Sequence, residues 1–245
     1  MNAILSLTLL LLVMMLLIGG KQGLANFFAL MINALLMILV VILMASGFNP
    51  IILAVVFGLI ILSGTIFLST SRVAVAGPAF VSALLIMTLL VGLIILIMTV
   101  GQTAGFGPES SDTLEGFSIY IGINFQHILI AATLLGTLGA IAEASISMAV
   151  GMNEIEDQAS HAGIKQMGQE IIGTALNTLF FGFFGGFSSL FIWFASLHYP
   201  FSQIINNKIF VGELLQVLIS VIAVVLTVPL TTWVVTTRQA NHRKE

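Results

Sequence analysis

The chain is expected to fold as an all-α, polytopic bundle of about seven transmembrane helices, with its N-terminus outside and its C-terminus in the cytoplasm. Three observations lead there. Hydrophobic residues make up 59% of the 245 positions and charged residues only 7%, against about 25% charged in an ordinary soluble domain. The apolar runs are long and lack the period-two alternation of a membrane β-barrel. Lys and Arg gather in alternate connections between those runs. In hydrocarbon every backbone N–H and C=O must be satisfied within the protein, and a long apolar run does this as a helix.

The expected spans are 2–18, 24–46, 51–69, 73–100, 123–150, 171–197 and 210–235, each near the ~20 residues that cross a bilayer. The whole of 1–245 reads as one membrane domain. No Lys or Arg precedes the first run and Lys21 follows it. It therefore lacks the basic start of a cleaved signal and is expected to be retained. Breaks follow at Gly19–Gly23, at Gly47-Phe48-Asn49-Pro50 and at Ser71-Arg72. A polar connection from Gly101 to Ser118 carries Glu109, Asp112 and Glu115 without the spacing of a calcium loop. The segment Gly151–Gln169 is expected to form a short amphipathic helix on the membrane surface. With seven spans, Lys21, Arg72, Lys165, Arg238, Arg243 and Lys244 fall on one side and Lys208 on the other. That bias sets the cytoplasmic side.

Composition excludes several classes. The net charge of −3 gives no nucleic-acid footprint, and the absence of cysteine removes disulfides and thiolate chemistry. No G-x-S-x-G, no H-E-x-x-H and no His–acid cluster is present. The expectation is a non-enzyme with no cofactor and no metal. Its surroundings are the lipid bilayer.

Glu143 stands well inside the fifth span. Its neighbours at helical spacing are small or polar, Gly136, Ala140, Ser147 and Gly151, and Gly136 and Gly139 are the expected packing positions. The sixth span offers Glu170, Thr174, Asn177 and Thr178 on one side, then Gly182-xxx-Gly186. Small residues let helices approach closely, so these two faces are expected to pack together. An intramembrane acid marks either an ion or proton path or a structural hydrogen bond to a neighbouring helix. Glu143, Ser147, Thr174, Asn177 and Thr178 are the relay candidates. The seventh span continues the pattern with Gln216, Ser220, Thr227 and Thr231.

Two stretches carry a family resemblance. Gly136-Thr137-Leu138-Gly139-Ala140-Ile141-Ala142-Glu143, with Ser145-Ile146-Ser147 and Met152-Asn153-Glu154-Ile155, resembles the core motif of YibE/F-like membrane proteins. Gly168-Gln169-Glu170-Ile171-Ile172-Gly173-Thr174-Ala175-Leu176-Asn177-Thr178-Leu179 resembles that family's next helix. The short form is similar to the YibF type, although the family's usual acid at position 143 is Asp. The resemblance implies a bacterial plasma-membrane protein, transport-related, working as a homodimer or with a YibE-type partner. A non-transporting scaffold for that partner is the alternative. More distantly, the acid-bearing helix, the charged connection and the Thr-rich helix ending in Phe184-Gly185-Gly186 resemble the SecF membrane domain of the RND-type architecture. That likeness implies a six-helix core plus an extra N-terminal helix.

Overall fold

The computed structural model describes residues 3–70, 72–101, 124–155 and 161–242. The described residues form seven helices: α1 (Ala3–Ala45), α2 (Pro50–Ser69), α3 (Val73–Val100), α4 (Phe125–Ile155), α5 (His161–Ser196), α6 (Phe201–Ile205) and α7 (Lys208–His242). Six of them are long and apolar enough to cross a membrane. The acids Glu109, Asp112 and Glu115 lie outside the described residues.

The expected first and second spans are joined in α1. Its 43 residues would reach about 65 Å as a straight helix, twice the hydrocarbon thickness. The backbone breaks at Gly20, which takes φ 54° and ψ −130°, a region open to glycine and strained for other residues. The bend brings Gly23 against the backbone of Met15, although eight residues of straight helix would separate them by about 12 Å. Two apolar arms result, 3–19 and 21–45. The buried residues of α1, namely Gly23, Phe27, Ala29 and Val40, all belong to the second arm. The first arm is peripheral.

Local chemistry accounts for the other boundaries. α1 ends in a Schellman cap: Gly47, at φ 90°, donates to Met44 O at 3.0 Å and Phe48 N donates to Leu43 O at 3.2 Å. Asn49 then caps α2, its Oδ1 accepting from Ile51 N at 3.0 Å, with Pro50 in the first turn, where no N–H is needed. α5 closes with the same cap as α1. Here His198 adopts the positive φ of 55°, and Tyr199 N donates to Phe194 O at 3.2 Å.

α4 is the central helix and packs on α2, α3, α5 and α7. Its buried side includes Ile130, Leu134, Leu138, Ile141, Met148 and Met152, in one continuous core with residues of α2, α3 and α7. Two corrections concern α5. The surface helix expected at Gly151–Gln169 is absent from the described part of that segment. Instead α4 runs on to Ile155 and α5 starts at His161, with Met167 packed on Gly151. Away from that end α5 leans on α7 rather than on α4. Phe183, Phe187 and Phe194 form a separate aromatic cluster, in which Phe187 meets Phe210 of α7 edge-on at 5.5 Å.

Side-chain contacts also place the charges. Gln22 donates to Leu68 O at 2.8 Å, which brings the start of the second arm to the end of α2. Arg72 begins α3, and the Arg238 guanidinium lies against Gly77 of α3. Lys165 is in the first turns of α5, near the end of α4. Lys21, Arg72, Lys165 and Arg238 therefore share one end of the bundle. Lys208 begins α7 at the opposite end, where Gly212 packs on Leu129 near the start of α4.

Candidate functional site

The cleft between α4 and α5 holds the candidate site. α4 presents Glu143, Ala144 and Ser147, and α5 presents Glu170, Ile171, Thr174 and Ala175, around a cavity of about 230 Å³. The register follows from the Gly151–Met167 contact. Stepping back one turn along α4 and forward one turn along the antiparallel α5 sets Ser147 opposite Ile171. One more turn sets Glu143 opposite Ala175 and Thr174. Glu143 is roughly 18 Å from the C-terminal end of α4 at 1.5 Å per residue, so it lies within the span rather than at its edge.

Two carboxyl groups and two hydroxyls thus reach one space. Glu170 is held from the side: Gln166 Nε2 donates to its Oε1 at 3.0 Å. Glu143 and Ser147 are exposed on the outward side of α4. Carboxylate and hydroxyl oxygens are hard donors, suited to a proton or a small cation. Among the described residues no group of three or more His, Cys, Asp or Glu comes together to hold a metal ion.

Of the five relay candidates, the structure brings Glu143, Ser147 and Thr174 to this cavity and adds Glu170. Asn177 and Thr178 lie further along α5, exposed and outside the cavity lining. The Thr178 hydroxyl donates to Thr174 O within its own helix at 3.0 Å. The glycine face does not close as expected. Among the described residues Gly139, Gly182 and Gly186 have no neighbour within 4 Å of where a Cβ would stand. Gly136 is approached by the Gln216 side chain of α7, not by α5. The close α4–α5 approach at a glycine is that of Met167 on Gly151.

The polar residues in the core are on the other side of α4. Thr133, Thr137 and Ser145 of α4, Ser82 of α3, and Ser220, Thr227 and Thr231 of α7 are all buried. Most of these hydroxyls bond carbonyls of their own helix. Thr231 Oγ1 instead crosses to Ser82 Oγ at 2.9 Å, and Ser82 in turn donates to Ala79 O at 3.0 Å. Thr133 Oγ1 is buried without a hydrogen-bond partner among the described residues. The reading of the sequence identified the α7 half of this seam, quoted Thr137 only within the family motif, and missed Thr133 and Ser82. The i, i+4 spacing of Thr133 and Thr137 was the available signal.

No curated protein and no solved structure matches the chain. The family of YibE/F-like proteins does, over residues 7–240. That match takes in most of the first apolar arm, all of the second and both helices that meet at the Glu143 cavity, and the chain is a multi-pass membrane protein that belongs to the YibE/F-like family.

Proposed function

We propose that this protein is a permease subunit of the bacterial plasma membrane, in which Glu143 passes a proton or a monovalent cation together with Glu170, Ser147 and Thr174. One observation carries this reading: two carboxyl groups and two hydroxyls line a single cavity between two helices long enough to span. A carboxylate in hydrocarbon costs on the order of 3 kcal/mol. Placing Glu143 at a polar cavity offsets part of that cost, and a water-filled cavity would let it exchange a proton. The end of the bundle nearer this cavity carries Lys21, Arg72, Lys165 and Arg238, which the charge rule assigns to the cytoplasm. The proposed path is therefore entered from that side.

A second reading has its own support. Among the described residues nothing approaches Gly139, Gly182, Gly185 or Gly186, and Phe181 beside them is 76% exposed. A second copy or a YibE-type partner could lay a helix there, and the chain would then act as a scaffold. Proteoliposomes carrying the chain, with and without that partner, separate the two readings. Under the permease reading Glu143→Gln abolishes proton flux after an acid pulse while the protein stays folded and keeps its partner. Glu143→Asp retains most of the flux. A folded Glu143→Gln variant with full flux would leave Glu143 as a structural residue and favour the scaffold.

A further inference from the structure

α5 lies between two clefts. Its Glu170 side faces the cavity just described, and the adjacent side faces α7. There Ile164, Lys165, Gly168, Gln169 and Ile172 of α5 and Val228, Pro229 and Thr232 of α7 enclose about 370 Å³. Gly168 forms the floor. A Cβ on it would come within 2.8 Å of Val228 Cγ1, so the glycine lets the two helices close beneath the groove. Gly168 and Val228 are buried, Ile164, Ile172 and Thr232 are half-buried, and Lys165, Gln169 and Pro229 are exposed at the rim. The groove is therefore shut below and open to the outside of the bundle, which in a membrane is lipid.

Its chemistry is divided along its length. Lys165 and Gln169 stand toward the start of α5, at the end of the bundle that also carries Lys21, Arg72 and Arg238. Ile172 and Val228 supply apolar wall and floor. Among the described residues Lys165 is the one charged member of the lining. A long flexible ammonium at the membrane surface above an apolar trough suits a molecule with an anionic head and a hydrocarbon tail. We propose that this groove is a binding site for an anionic phospholipid. Its phosphate is held by the Lys165 ammonium and the Gln169 amide, and one acyl chain runs over Gly168 between Ile172 and Val228. The site is separate from Glu143 and does not depend on the permease reading.

Native mass spectrometry of the full chain in mild detergent tests this, with phosphatidylglycerol and phosphatidylcholine of matched acyl chains added in turn. The wild type should retain phosphatidylglycerol in preference to phosphatidylcholine. Lys165→Gln should lower phosphatidylglycerol affinity about fivefold, the factor equivalent to about 1 kcal/mol for one lysine at an anionic surface, and leave phosphatidylcholine unchanged. Ile172→Trp, which fills the trough and spares the charge, should also displace phosphatidylglycerol. Lys208→Gln at the opposite end should have no effect. Equal retention of the two lipids, undiminished phosphatidylglycerol binding in both Lys165→Gln and Ile172→Trp, or an equal loss with Lys208→Gln would overturn the proposal. So would lipid-free dimers that separate on Ile172→Trp, because a second copy would then occupy the groove.

Discussion

Removing the Ser82–Thr231 hydrogen bond offers a measurement of how much one polar contact contributes inside this bundle. Ser82→Ala deletes the acceptor, and Thr231→Val deletes the donor at nearly constant volume. Both residues are fully buried, the bond is 2.9 Å long, and it joins α3 to α7. In water-soluble proteins an unsatisfied buried hydroxyl costs about 1–3 kcal/mol. Between membrane helices the measured coupling averages about 0.6 kcal/mol with a maximum near 1.7, because separated helices in lipid also find partners. Two features of this pair act in opposite directions. The Ser82 oxygen passes the polarisation on to Ala79 O, which strengthens the chain of bonds. Against that, an orphaned Thr231 hydroxyl can turn back to the carbonyl four residues earlier in α7. The expected coupling in a double-mutant cycle is therefore about 1 kcal/mol. Reversible unfolding of the four variants in mixed micelles with increasing dodecyl sulfate measures it. Strict additivity, with the double variant losing the sum of the single losses, would refute the reasoning and show the two hydroxyls to be energetically independent.

Three further outcomes are expected. Reporter fusions at Ser71, Gly107, His161 and Glu245 should report inside, outside, inside and inside, since Lys21, Arg72, Lys165 and Arg238 gather at one end; an external signal at Glu245 would reverse the orientation. Gly168→Ala should destabilise by about 1–3 kcal/mol in a thermal melt, because the stiff Val228 side chain stands in the way. Gly139→Ala, with open space around it, should be neutral or gain up to about 1 kcal/mol from helix propensity, and equal effects at the two sites would contradict the packing. Gly20→Ala should cost about 1–3 kcal/mol through the strained backbone at the break in α1, and an unchanged melting temperature would mean that the two arms do not need that bend.

The existence and order of the long helices were legible in the linear chain. Mean hydropathy over a window is a local quantity, and in lipid it decides whether a segment must be helical at all. The expected span 73–100 coincides with α3 (Val73–Val100), and the span 51–69 misses α2 by one residue. The one-sided placement of Lys and Arg was equally readable, because it depends only on which connections hold them. The break between the first two arms was marked by Gly19 and Gly20, but not its sharpness. That depends on the φ of 54° and ψ of −130° at Gly20 and on how closely Gly23 meets Met15.

What required the tertiary structure was the choice of faces. α4 has two sides able to pack, one small and polar with Glu143, the other apolar with buried hydroxyls at Thr133 and Thr137. In water the apolar side would be the buried one by default. In a bilayer the solvent is itself apolar and gives no such preference, so packing fit and hydrogen bonds decide. The expectation put the glycine face of α4 against α5. The fold instead buries the hydroxyl side against α3 and α7 and packs α5 on α7 through an aromatic cluster. The consequence is the open cleft in which Glu143, Ser147, Glu170 and Thr174 meet. The residues of that site were visible as types in the chain, but their convergence depended on how α5 packs along α7, through Gly168 and Val228 at one end and the aromatic cluster at the other.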